Sequence, residues 1–297
     1  MVEQIGNRIR YQGEYDDAAY WERVDRNLAF LGRTPEEARR NQEKLRDATI
    51  GIAGVGGIGG AAAIRLVRMG ARHLKVADPE GFEMSNIQRQ AGASLDTLGR
   101  NKAEVTAEIA YELTRDADIE VFTDGINPDN PAEFVEGCDI IADQIEFYER
   151  VPRYALHQAA RESDRCKAIV SVATVGHGAL VLKYRPDSTT AEDVWGLDGD
   201  QDDVETAQAF IKKMLPPELL PAFPGPEKVF EWLLERQTAP IWGATPAMCE
   251  GVLVDLICNE IIGFPGMVDL PLQPGYAWID MFSWRTGIVQ PDEAPQG

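Results

Sequence analysis

Histidine and cysteine are scarce in this chain, three and four residues among 297. The cysteines, Cys138, Cys166, Cys249 and Cys258, form no CxxC pair, and none of His73, His157 and His177 stands at zinc-site spacing from one of them. Structural zinc and a disulfide scaffold are therefore not expected, and a reducing compartment is. Basic residues are also short: 29 lysines and arginines face 49 acids, a net charge of −20. Such a field repels nucleic acid. It gives a solvated acidic surface, or one that suits a basic protein or peptide. No apolar run reaches membrane-spanning length and Met1-Val2-Glu3-Gln4 opens no signal peptide, so a cytoplasmic protein off the membrane is expected. What is plentiful is apolar content, 44%, enough for a large core in one α/β domain or one and a half.

The stretch from Ala48 to Lys102 organises the rest. Ala48 to Ala53 is an apolar run of strand length, and Gly54-Val55-Gly56-Gly57-Ile58-Gly59-Gly60 is a glycine turn opening an amphipathic helix to Met69-Gly70. A second apolar run, from Leu74, ends in Asp78. A strand, a glycine turn, a helix and a strand ending in an acid about 20 residues on make a nucleotide-binding βαβ unit. The glycines permit the tight turn, the close approach of a phosphate and close helix–strand packing. The helix start offers amides and its positive dipole end to that phosphate. Asp78 is placed to accept from ribose hydroxyls. NAD, FAD, S-adenosylmethionine and ATP all suit such a unit.

The next residues discriminate. Ser85-Asn86-Ile87-Gln88-Arg89-Gln90 and Gly99-Arg100-Asn101-Lys102-Ala103 crowd Asn, Arg, Gln and Lys behind the ribose acid. A dehydrogenase has no need of them. A site that stabilises charge growing on an α-phosphate does. Nucleotidyl transfer is the chemistry these residues suit.

The order and spacing of these motifs over some fifty residues closely resemble the ThiF/MoeB/HesA family, the adenylating domains related to ubiquitin-activating enzymes. The resemblance implies Mg·ATP-dependent adenylation of a carboxylate with release of pyrophosphate, commonly by a homodimer. It implies that Gly54, Gly56, Gly57 and Gly59 shape the phosphate turn, that Asp78 holds ribose, and that Asn86, Arg89 and Lys102 bind and polarise phosphates with Gln90 in support. Arg23-Val24-Asp25-Arg26-Asn27 is similar to an N-terminal element whose second arginine reaches a phosphate across the dimer. Arg26 is the matching position; it also suits a plain surface charge on a helix. The family's metal-binding Asp-x-x-Asp corresponds to Asp143 and Glu146, where a longer carboxylate takes the second place. Glu146 equally suits the favourable N-terminal turn of the following helix.

Two features depart from the pattern. The paired CxxC motifs that bind zinc in many members are missing, and no cysteine lies between Cys166 and Cys249, where related enzymes carry an acyl-accepting thiol. An obligatory thioester or persulfide relay is therefore not expected. The activated acyl group would pass to an outside nucleophile: an amine, a sulfur donor, water or the substrate's own group. A peptide or small acid then becomes the expected substrate, with the C-terminal glycine of a ubiquitin-like sulfur carrier as the alternative. A silent scaffold and an NAD-binding protein are further alternatives, against which the joint retention of Asp78, Asn86, Arg89 and Lys102 speaks.

The remaining chain fits an α/β fold: a Rossmann-like, mostly parallel sheet extended by antiparallel strands, with helices on both faces. Residues 1–47 are expected as an N-terminal helical extension, with Thr34 capping a helix that has Pro35 at its first position. Residues 48–185 form the ATP-binding core. Residues 186–240, with eight acids and no base from Asp187 to Glu205 and then clustered prolines, form a crossover and substrate-recognition segment with a short helix at 207–214. Residues 241–289 complete the domain with an apolar helix over 245–262, where Cys249 and Cys258 should be buried and inert, and a half-buried strand within 276–284. Residues 290–297 are expected as a disordered tail. His177 suits a glycine turn.

Overall fold

The parallel centre of the fold is built on short strands rich in Val, Ile and Ala. In the computed structural model, which describes residues 2–147, 149–195, 217–220, 223–236, 240–290 and 292, β3 (Thr49–Ala53) lies between β4 (His73–Ala77) and β6 (Ile140–Asp143). Beyond them are β5 (Asp118–Phe122) and β7 (Ala168–Val175), and the five strands β5-β4-β3-β6-β7 run parallel. Strands β3, β6 and β7, buried on both faces, read as near-continuous apolar runs, whereas β4 and β5 alternate and pair Lys75 with Glu120.

Antiparallel strands extend this core at each end. On one side β8 (Gly178–Tyr184), β9 (Tyr276–Asp280) and β10 (Arg285–Val289) follow β7; on the other a hairpin of β1 (Val2–Ile5) and β2 (Arg8–Tyr11) pairs with β5. The sheet thus has ten strands, with four parallel and five antiparallel ladders among the described residues. The hairpin is a finding the sequence did not foreshadow. Its first strand is four residues long, exposed throughout and polar at its centre, so it carries no strong alternation.

Behind the hairpin come the two expected N-terminal helices, α1 (Asp17–Leu31) and α2 (Pro35–Asp47). The Asp16 carboxylate accepts from the Ala19 amide and the Thr34 hydroxyl from the Glu37 amide, so each first turn is capped. With α3 (Gly59–Met69), α4 (Lys102–Glu112) and α9 (Thr245–Ile262) they cover one sheet face. The other face is covered by α5 (Pro131–Val135), α6 (Arg150–Glu162) and α7 (Ala191–Trp195). Leu253 and Ile257 of α9 are wholly buried against the first face, each contributing roughly 1.5–3 kcal/mol.

Each layer buries two thiols, Cys249 and Cys258 in the first and Cys138 and Cys166 in the second. Burial pushes Cys138, Cys249 and Cys258 up to about 12 and Cys166 up to about 11. None is a thiolate near neutrality, as expected for inert core cysteines.

Two boundaries differ from expectation. The strand sought within 276–284 stops at Asp280, whose carboxylate accepts from the Phe282 and Ser283 amides and turns the chain into β10. Within the segment expected to be irregular, α8 (Pro226–Arg236) forms with proline at its first position. The helix expected at 207–214 lies outside the described residues, as does the tail apart from 290 and 292.

Candidate functional site

A cavity of about 340 Å³ opens at the C-terminal ends of β3, β4, β6 and β7, the edge where open α/β sheets place ligands. Its rear is the glycine turn. Gly54 sits at φ 91°, and a Cβ there would lie 2.2 Å from the Gln144 peptide oxygen; a Cβ on Gly59 would lie 2.0 Å from the Gly54 oxygen. Both positions exclude every side chain. Gly56 and Gly57 line the cavity with only the Gln90 and Arg89 side chains and Pro246 in ordinary contact range. No side chain caps α3, which begins here.

Asp78, at the end of β4, is buried and lines the cavity. One carboxylate oxygen accepts from the Val55 amide at 2.9 Å and the other from the Glu80 amide at 3.0 Å, so the acid ties the glycine turn to the loop that follows. Burial raises its carboxyl despite the nearby Lys102 charge. Lys102 opens α4, where the Asn101 side chain accepts from the Glu104 amide, and its ammonium meets Glu80 at 2.6 Å. Arg89 and Gln90 follow a short 3₁₀ turn, Met84–Asn86, and both line the cavity. The Arg89 guanidinium donates to the Ser85 carbonyl at 3.0 Å. Gln90 is buried: its Oε1 is closed off from solvent and has no hydrogen-bond partner among the described residues, while its Nε2 end lies toward Gly56.

Of the expected set, then, Gly54, Gly56, Gly57, Gly59, Asp78, Arg89, Gln90 and Lys102 meet around one space, with Asp143 and Glu146 across it. Asn86 and Arg26 are not among the lining residues. The Asn86 carboxamide accepts from the Glu83 amide in a reciprocal capping box, and its carbonyl receives the Arg89 and Gln90 amides. It therefore supports the turn that carries those two residues. Arg26 is exposed on α1, whereas its neighbours Arg23 and Asn27 hold the end of α3 through the Val67 and Met69 carbonyls. His177 lies in the β7–β8 turn, packed against the Trp242 and Phe282 rings.

The two acids at the end of β6 have different surroundings. Asp143 is buried beneath the cleft: its Oδ2 accepts from Arg153 Nε at 2.8 Å and lies 3.0 Å from His157 Nε2, and its Oδ1 accepts from the Ile145 amide. Burial alone would raise its carboxyl, but the Arg153 guanidinium and the His157 hydrogen bond outweigh that and hold it at about 2. Glu146 is exposed to the cleft. Lost hydration among the cleft walls and the neighbouring Glu80 charge raise its carboxyl, against the pull of Arg153, Lys102 and Arg89. A raised carboxyl beside another acid suits a site that takes up a cation. Among the described residues no group of three or more His, Cys, Asp or Glu side chains could hold a metal ion by itself.

The family model described as ThiF matches residues 24–282. The chain belongs to the ThiF family. Among curated relatives, it is similar to the tRNA threonylcarbamoyladenosine dehydratase of Escherichia coli, 34% identical over 136 residues, 46% of this chain and 48% of that protein. An adenylyltransferase and sulfurtransferase MOCS3 of Drosophila sechellia is 31% identical over 159 residues, 53% of this chain and 33% of that protein. The chain thus spans a third to a half of the length of these two relatives. Among solved structures, PaaA superposes with a TM-score of 0.66 at 16% identity, over 97% of this chain and 78% of that one. E. coli MccB with ATP gives 0.66 at 16% identity, over 92% and 72%. Likeness at that identity shows the ThiF-type fold.

Within this ThiF-family frame, two site residues escaped the sequence. Arg153 not only pairs with Asp143 but donates to the Ile145 and Phe147 carbonyls, clamping the loop that presents Glu146. His157, one helical turn on, seats against Tyr184 and reaches the same carboxylate. Their signal was present as an i,i+4 pair of basic residues inside the apolar face of α6, directly after the acid they serve.

Proposed function

We propose that the chain is a Mg·ATP-dependent adenylyltransferase that activates a carboxylate, with pyrophosphate as leaving group. The observation that carries this reading is the meeting in one cavity of the glycine turn, the buried Asp78, the cations Arg89 and Lys102, and the Gln90 carboxamide. The turn's crowding at Gly54 and Gly59, with Gly56 and Gly57 open to the cavity, suits a phosphate against bare backbone.

In this reading a carboxylate oxygen of the substrate attacks the α-phosphorus and the bond to the bridging oxygen of pyrophosphate breaks. Arg89 and Lys102 neutralise the charge that grows on the α-phosphate, and Gln90 orients the reacting groups. For Lys102 this means exchanging Glu80 for phosphate. Glu146 would hold the magnesium ion together with phosphate oxygens, while Asp143, engaged by Arg153 and His157, fixes the loop. Magnesium, when bound, neutralises phosphate oxygens. Asn86 acts through the turn it caps. Arg26 would reach the site from a second copy in a homodimer. With all four thiols buried, the acyl group passes to an outside nucleophile.

ATP–pyrophosphate exchange tests the reading, with small carboxylic acids, short peptides and carrier proteins ending in glycine as candidate substrates. Exchange that depends on one of them is the expected result, and a carrier protein as the sole active substrate would select the carrier alternative. Absence of ATP binding would refute the assignment. For Arg26, mixing R26A with K102A is expected to restore part of the exchange that each lacks alone. No restoration would confine the site to one chain.

A further inference from the structure

The cavity has a second half that the nucleotide does not account for. Beyond Glu146 it runs over the β7–β8 ladder, where Ser171 and Ala173 pair across the strands with Leu182 and Leu180. Alternation puts Ser171, Ala173, Val175, Leu182 and Tyr184 on one sheet face as a mainly apolar floor. Pro226 and Val229 of α8 face the same space. Among the described residues, the charged groups beside it are committed or exposed: Arg153 is held by Asp143 and the loop carbonyls, and Glu149 is exposed.

We infer that this half is an acyl pocket that selects a carboxylic acid with a branched aliphatic or aromatic side chain, whether free or at a peptide C-terminus. The inference rests on the adenylation reading. It follows from continuity: the carboxylate must meet the α-phosphate between Arg89, Lys102 and Glu146, so the carbon next to it enters the adjoining space. An apolar lining rewards each methylene taken from water by about fourfold in affinity. A second carboxylate there would lose hydration with no free cation among the described lining residues to replace it, beside Glu146 and Glu149. A glycyl end would leave the floor uncovered.

The test uses three non-hydrolysable acyl sulfamoyl adenosines as probes, acetyl, 4-methylpentanoyl and succinyl, with AMP as reference, and reads Kd by calorimetry. The 4-methylpentanoyl probe is expected to bind at least tenfold tighter than the acetyl probe, and the succinyl probe no tighter than acetyl. Ala173→Leu, which fills the floor, should erase the gain while leaving AMP and the acetyl probe unchanged; Val229→Ser should reduce it without filling space. Equal binding of all three, a succinyl preference, or AMP binding without any acyl probe would overturn the pocket and leave the nucleotide reading standing. Failure of AMP and all probes to bind would overturn both.

Discussion

The two halves of the cavity are built in opposite ways. The nucleotide half draws its groups from Gly54 to Lys102, and short-range bonds lock each one: Asp78 to the Val55 and Glu80 amides, Asn86 to the turn before Arg89, Asn101 to the start of α4. The other half is assembled from the β7–β8 hairpin and from α8, which follows only after a long intervening segment, and is held by packing. Polar chemistry fixed by near neighbours leaves little room for variation, whereas an apolar wall can change by a methyl group at a time. A ThiF-family fold can therefore keep one reaction and exchange its acid.

Variants that break the comparison should differ in kind as well as size. Gly59→Ala places a methyl group 2.0 Å from the Gly54 oxygen, so AMP binding is expected to vanish in calorimetry. Next comes Arg153→Met, which strands the buried Asp143 charge; urea unfolding should show a loss of about 3–5 kcal/mol. Lys102→Ala and Arg89→Ala should each slow exchange about a hundredfold, roughly 3 kcal/mol in the barrier, with the fold intact by circular dichroism. Near-normal rates in both would remove the adenylation assignment.

Acid sharpens the picture further. The folded Asp143 carboxyl, at about 2, lies below its unfolded value of about 3.9, so its contribution is complete above that value and is lost as pH falls toward 2. Wild type should thus lose about 2 kcal/mol between pH 4 and 2 that Asp143→Asn does not lose. The smallest effect belongs to the apolar half. Val229→Ala should raise KM for an apolar acid about fivefold and leave KM for ATP unchanged. A change in both would mean the halves are not separable.

The same division governs what could be read beforehand. Strands β3 to β8 and helices α1 to α6 and α9 announce themselves through apolar period, caps such as Thr34-Pro35 and glycine punctuation. The phosphate side of the site follows from contiguous motifs. The basic pair Arg153 and His157 stood visible in the apolar face of α6, but their partner did not, because it is set by how α6 packs against the end of β6. The β1–β2 hairpin was hidden because four-residue strands on an edge owe their conformation to the neighbour they pair with, here β5. The acyl floor was hidden because Ala173 and Leu182 read as ordinary core until the space above them is seen.

The buried thiols give the chain two independent gauges of its own opening. Cys249 and Cys258 lie on the buried side of α9, Cys138 and Cys166 in the layer under α5 and α6, and none reacts while its layer is closed. The rate at which an alkylating reagent modifies each pair therefore clocks the breathing of that layer alone. Saturating the cleft with nucleotide should slow the second clock more than the first, because the loop clamped by Arg153 belongs to that side.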